Sequence, residues 1–159
     1  MSLTEAMSLT GGPQASIREA ADADLPSVLQ LYAQPGVDDG EVLPIDEARA
    51  IFARMRSYPF YRLYVVEIGG VIAATYTLLV MENLAHSGTP SAVVEQVMVA
   101  PQAQGAGLGK LMMQHALAVA REQGCYKVAL SSNVKREHAH AFYDKLGFER
   151  HGYSFRVLL

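Results

Sequence analysis

Val97-Met98-Val99-Ala100-Pro101-Gln102-Ala103-Gln104-Gly105-Ala106-Gly107-Leu108-Gly109-Lys110 is the stretch that decides the reading of this chain. A β-branched run stops at Pro101, three alternate glycines follow, and an apolar stripe of helical spacing starts at Leu108. The stripe continues through Leu111, Met112, Ala116, Val119 and Ala120, which predicts strand, glycine-rich turn and amphipathic helix in succession. Glycine lets the backbone turn sharply and come close to a ligand. The first helical turn leaves N–H groups without partners, and together with the helix dipole they form a seat for phosphate. Two other phosphate loops fail on single positions. A P-loop requires Gly at 104 and Ser or Thr at 111, where this chain has Gln104 and Leu111. A dinucleotide fingerprint starting at Gly105 requires Gly at 110, which is Lys110. A strand-to-helix turn of purely structural use is the plainer alternative.

Outward from that segment the pattern predicts one mixed α/β domain. Ser16 to Arg18 reads as a short strand, and Asp22 or Asp24 caps a helix carrying Leu25, Val28, Leu29 and Tyr32. A second helix follows Pro44, capped near Asp46, with Ala48, Ile51, Phe52 and Met55 on its apolar face. Phe60 to Ile68 and Val71 to Met81 form a hairpin across Gly69-Gly70. Ala92 to Ala100 is the strand before the glycine turn, and the helix runs from about Gly107 to Gln123. Lys127 to Ser131 is then a strand, Arg136 to Leu146 a helix with Ala139, Phe142 and Leu146 inward, and Phe148 to Leu159 supplies closing strands. The expected order is β-α-α-β-β-β-α-β-α-β-β, with residues 1–14 a loose tail and 15–159 a single domain.

Composition narrows the class of function. The 159 residues are 50% hydrophobic and 18% charged, which excludes a disordered chain. A net charge of −3 argues against nucleic acid as a partner. Val71 to Met81 is too short and too interrupted by Thr75, Tyr76 and Thr77 to cross a bilayer, so no membrane partner is expected. The N-terminus lacks the pattern of a secretory signal, and the one cysteine, Cys125, reads as a buried thiol in a cytoplasmic protein. Residues 1–109 carry a balance of −7 and residues 110–159 a balance of +4. That asymmetry is compatible with an anion held by the C-terminal third and a cation drawn to the N-terminal part.

Gln104-x-x-Gly107-x-Gly109 resembles the Q/R-x-x-G-x-G/A acyl-CoA loop of the GNAT acetyltransferase superfamily. Ala139-His140-Ala141-Phe142-Tyr143-Asp144-Lys145-Leu146-Gly147-Phe148 is similar to that superfamily's second motif, a helix with a Phe-Tyr pair ending in Leu-Gly-Phe. The two motifs span residues 93–148. Ser131-x-Asn133-x-Lys135-Arg136-x-x-Ala139-His140 also resembles the aminoalkylphosphonate N-acetyltransferase branch. The resemblance implies acetyl-CoA as cosubstrate, with its pyrophosphate on the amides of Gln104, Gly105, Ala106, Gly107, Leu108, Gly109 and Lys110. It implies a pantetheine arm alongside Val97, Met98 and Val99, with Asn133 bonding the arm. A bulge near Gln96 or Val97 would free an amide for the thioester carbonyl.

The implied reaction is direct transfer of acetyl from sulfur to the primary amine of a small molecule. A neutral amine must attack, so a base or a water chain removes its proton. Glu95 is the only carboxylate on the strand, and period-2 alternation puts it on one face with Val93, Val97 and Val99, partly desolvated. A surface-facing or salt-bridged glutamate is the alternative. The Phe-Tyr match implies that Tyr143 protonates the departing thiolate; a half-buried packing tyrosine is the alternative. Arg136, like Lys135, is a candidate for the CoA phosphates or an acidic substrate, with a solvated helix start as the alternative. Tyr32, Asn83 and His86 are candidates for the acceptor pocket. His138 and His140, two apart on a helix, point about 200° from each other and cannot share an ion, so no metal is expected. His115 lies on the core stripe of its helix. A homodimer is compatible with the pattern. A catalytically silent acyl-CoA-binding module, or an enzyme acting on a peptide or protein amine, are the competing functions.

Overall fold

The computed structural model describes residues 14–159, so the tail expected over residues 1–14 lies outside the described residues except for Gln14. The chain forms two compact units, one ending at Ala129 and one spanning residues 130–159.

The first unit is a five-stranded sheet in sequential order. Strands β1 (Ser16–Glu19), β2 (Tyr61–Ile68), β3 (Val71–Met81) and β4 (Ser91–Val99) pair antiparallel, and β5 (Val128–Ala129) adds in parallel to β4. Helices α1 (Leu25–Tyr32) and α2 (Ile45–Ser57) connect β1 to β2, and α3 (Leu108–Glu122) connects β4 to β5. Gly69 and Gly70 both take positive φ, 56° and 80°, the geometry of a tight primed hairpin turn between β2 and β3.

Helix caps differ from expectation. Neither Asp24 nor Asp46 caps through its side chain. Arg18 holds the Asp24 carboxylate at 2.6 and 2.9 Å, and that carboxylate also accepts from the Ala21 amide at 2.8 Å. The guanidinium holds the Asp24 carboxyl below its ordinary range. Asp46 pairs instead with Arg49 at 3.3 Å on the exposed face of α2, and Pro44 is the cap residue.

Pair registers assign the two faces of the sheet. Leu63 and Val65 face Thr77 and Thr75 across β2–β3, and their side pack with Leu25, Val28 and Phe52 of α1 and α2. Burying a side chain such as Phe52 contributes about 1.5–3 kcal/mol. The opposite face presents Tyr64 and Tyr76 to α3, where their rings lie 4.8 and 6.1 Å from His115. Helix α3 buries Leu108, Met112, Met113, Ala116 and Ala120.

Tyr76 is fully buried, and its hydroxyl shares a 2.6 Å hydrogen bond with His115 Nδ1. Desolvation lowers the His115 pKa, opposed weakly by Glu122. A base whose folded value is depressed stabilises the fold above its unfolded value of 6.5, and that contribution is lost as pH falls through 6.5 and below. His115→Asn, which keeps an acceptor near Nδ1, should therefore flatten the fall in melting temperature between about pH 7 and pH 5. An unchanged slope in thermal melts would assign that fall to the carboxylates.

The second unit holds α4 (Glu137–Lys145). Asn133 prepares its start: its Oδ1 accepts from the Lys135 amide at 2.9 Å, and its carbonyl lies 2.8 Å from His140 Nε2. Gly147, at φ 87°, ends the helix, and the Phe148 amide donates back to the Tyr143 carbonyl at 3.0 Å. Ala139, Phe142 and Leu146 are half-buried rather than fully inward. The closing strands expected over Phe148 to Leu159 do not form, and β5 is shorter than Lys127 to Ser131. A strand exists through the ladder it joins, and within this unit α4 is the one regular element. Tyr153, Phe155 and Val157 accordingly stand at least 80% exposed.

Candidate active site

Strand β4 changes face at its middle. Thr77 stands opposite Glu95 and Thr75 opposite Met98, so Gln96 and Val97 together oppose the single residue Tyr76. That is a bulge, and Gln96 sits in it at φ 52°, an uncommon conformation for a residue with a side chain. The bulge expected near Gln96 or Val97 is thus present. It also corrects the alternation drawn from sequence. Cross-strand partners share a face, so Glu95 lies with Val93 and Met98 on the α1–α2 side, while Val99 lies with Ala74 on the other. Glu95 is exposed rather than partly desolvated among valines, because the extra residue carries Val97 and Val99 out of its row. Its backbone carbonyl accepts from the Thr77 hydroxyl at 3.1 Å.

Beyond the bulge β4 loses its parallel neighbour. The β4–β5 ladder consists of Ala92–Val128 and Val93–Ala129, so among the described residues the β5-facing edge of Val97 to Val99 carries no strand. The chain then makes a short turn at Pro101–Ala103 and enters the glycine segment. Gly105 and Gly107 both adopt φ 82°, whereas Gly109 is already helical. Two of the three glycines are therefore conformationally required. Gln104 to Gly107 and Lys110 are exposed, and Leu108 turns inward to anchor the helix. The Leu111 amide makes the first bond back into the helix, to Gly107 at 3.1 Å. The Leu108, Gly109 and Lys110 amides precede it and face the open end with the positive pole of α3.

Asn83 and His86 lie in the connector before β4, at the opposite end of that strand from the glycine segment. Glu95 is about 13 Å up the strand from Ser91 at 3.3 Å per residue. Both connector side chains are engaged locally. Asn83 Nδ2 donates to the Thr89 carbonyl at 2.9 Å, and the His86 ring stacks on Tyr126 at 4.4 Å. Tyr32 ends α1, and burial pushes its hydroxyl up to about 12, with Thr75 opposing. Cys125 is half-buried rather than buried, and its desolvation raises the thiol, which leaves it a weak nucleophile.

In the second unit, the Tyr143 ring meets Phe142 at 5.1 Å and Phe148 at 5.6 Å, both edge-on. Burial raises its pKa, opposed by the Arg136 charge, so the hydroxyl keeps its proton through the neutral range. Arg136 is the exposed residue before α4, and the Asn133 side chain keeps its amide donors after its oxygen is used. Ser132 was not anticipated: its hydroxyl is buried without a hydrogen-bond partner among the described residues. Gln34 was missed as well; it bonds to β4 from 65 residues away, and no local pattern marks such a contact.

The profile of the Acetyltransferase (GNAT) family matches residues 25–148. A glucosamine 6-phosphate N-acetyltransferase of Trypanosoma brucei brucei is 28% identical over 89% of this chain and 93% of its own length. A putative acetyltransferase of Agrobacterium tumefaciens superposes with a TM-score of 0.84 at 34% identity, covering 91% of this chain and 99% of the other. A Bacillus halodurans structure described as a transcriptional regulator also superposes with a TM-score of 0.84, at 25% identity over 92% of this chain and 100% of the other. The chain belongs to the GNAT acetyltransferase family. It is an acetyl-CoA-dependent N-acetyltransferase that acts on an amine.

Proposed function

We propose that the protein acetylates the primary amine of a small molecule by direct attack, with residues 15–159 acting as one catalytic domain. The observation that carries this reading is the β4 bulge followed by the open strand edge and the Gly105–Lys110 turn, one continuous path for an acyl thioester and its pyrophosphate. The pyrophosphate takes the amides of Gln104 to Lys110, the pantetheine arm runs along Val97 to Val99, and Asn133 and Arg136 contribute to the arm and the phosphates. The amine nitrogen attacks the thioester carbonyl carbon, the C–N bond forms and the C–S bond breaks. The amine proton leaves through water to Glu95, whose exposure supports a relay rather than direct contact. The thiolate takes its proton from Tyr143, which solvent then restores.

The small-molecule acceptor is supported by the Trypanosoma relative, which is described as acting on glucosamine 6-phosphate. Tyr32 is the candidate acceptor contact nearest the Glu95 face, since it neighbours Thr75. The engaged side chains of Asn83 and His86 support that pocket less. A homodimer is supported by the exposed Tyr153, Phe155 and Val157, and sedimentation at twice the chain mass would register it.

The test measures CoA release across cationic amines, amino sugars and their phosphates, and N-terminal peptides. A small amine should outrun every peptide, and the reverse ranking overturns the acceptor class. On the best acceptor, Glu95→Gln should lower kcat/KM by roughly 10²–10⁴-fold near neutrality and recover partly at high pH, where the amine is neutral without help. An unchanged pH profile would remove Glu95 from the proton path.

A further inference from the structure

Gln34 reaches across from the end of α1 and donates from Nε2 to the Val99 carbonyl at 3.1 Å. Val99 stands opposite Ala74, and the next amide, Ala100, donates to Ala73 at 2.8 Å. In an antiparallel ladder this alternation turns the N–H and C=O of Val99 away from β3. They point to the side where β5 has already parted from β4. The Val99 carbonyl is therefore an edge acceptor in the gap that receives the pantetheine arm, and Gln34 occupies it.

Gln34 also heads a turn stitched to itself. The Val37 amide donates to Gln34 at 3.2 Å, Asp38 to Tyr32 at 3.0 Å and Gly40 to Ala33 at 2.8 Å. The Gly36 amide donates to Asp39 Oδ1 at 2.6 Å. This turn carries Asp38, Asp39 and Glu41, so its tie at Gln34 links an acidic segment to the acyl-CoA strand.

We propose that Gln34 is a positioning residue that exchanges the Val99 carbonyl with the pantetheine amide, so that acyl-CoA entry releases the acidic turn 33–41 from β4. The proposal rests on the acyl-CoA path described above. A side-chain amide N–H and a pantetheine amide N–H are the same donor chemistry, so they compete for one acceptor on nearly equal terms. The tie consequently weakens acyl-CoA binding by about the worth of one neutral hydrogen bond.

Gln34→Met keeps the length and apolar stem of the side chain and loses the donor. Calorimetric titration with CoA should give a Kd about two- to tenfold tighter than the parent's. A glutamine that merely supported the fold would move CoA affinity the other way, and an equal or weaker affinity overturns the proposal. In the parent, amide hydrogen exchange over residues 33–41 should quicken on adding CoA, and in Gln34→Met it should be fast from the start. Slower exchange on adding CoA overturns the release. Should the parent itself fail to bind CoA, the acyl-CoA path falls and this proposal with it, a result distinct from normal parental binding with an unaltered variant.

Discussion

Gly107→Val should lose CoA affinity by about a hundredfold or more while the protein stays folded, because two or more charge-assisted hydrogen bonds, each worth about 1.5–3 kcal/mol, are lost together. Gly107 is the residue before α3, and its φ of 82° is a conformation a β-branched side chain does not hold without strain. Apart from its own chain neighbours, a Cβ there meets nothing within 4 Å among the described residues, so the interior does not resist the change. The damage falls on the ligand side: the turn must re-form, and the Leu108 to Lys110 amides lose their common aim. Gly107→Ala separates the causes, since a small side chain carries the strain of positive φ, about 1–2 kcal/mol, with little added bulk. Circular dichroism fixes the folded state and calorimetry the affinity. Parental CoA binding by a folded Gly107→Val would remove the turn from the pyrophosphate site.

Tyr143→Phe should lower kcat by roughly 10–10³-fold and leave KM for acetyl-CoA little changed, the pattern of a lost proton donor rather than a lost binding contact. The ring keeps its edge-on partners Phe142 and Phe148, so the substitution subtracts only the hydroxyl. Burial raises the tyrosine above its ordinary value, which keeps the donor protonated across the neutral range, so the parent should show no loss of activity from this group near neutrality. An unchanged kcat would pass thiolate protonation to water.

The elements that sequence reading placed well are those whose signal is local. The Gly69-Gly70 hairpin, the α3 stripe and the glycine turn each announce themselves within a dozen residues, and each stands as expected. Glu95 shows the limit. Its neighbours alternate as in a plain strand, yet the bulge depends on how β4 registers against Tyr76, a residue some twenty positions earlier. Asp24 shows another limit: its carboxylate had a free choice between a helix cap and Arg18, and the bidentate ion pair was the stronger partner. Phe148 to Leu159 alternates like a strand, but a strand also needs an edge to pair with, and alternation does not say where that edge is. Gln34 was invisible for a similar reason, since a single amide reaching a backbone carbonyl leaves no periodic trace.

The bulge at Gln96 divides β4 into two segments of opposite phase. Before it, odd-numbered residues face α1 and α2; after it, even-numbered ones do. Any comparison or redesign that slides past Gln96 by one position therefore exchanges inside for outside along the whole distal half of the strand. Deleting Gln96 would restore an unbroken pleat, with Val97 alone opposite Tyr76 and Met98 still opposite Thr75, and would abolish the bulge itself. The useful unit for grafting or alignment is thus the stretch from Gln96 to Lys110 taken whole, because the phase of the strand and the aim of the glycine turn are inherited together.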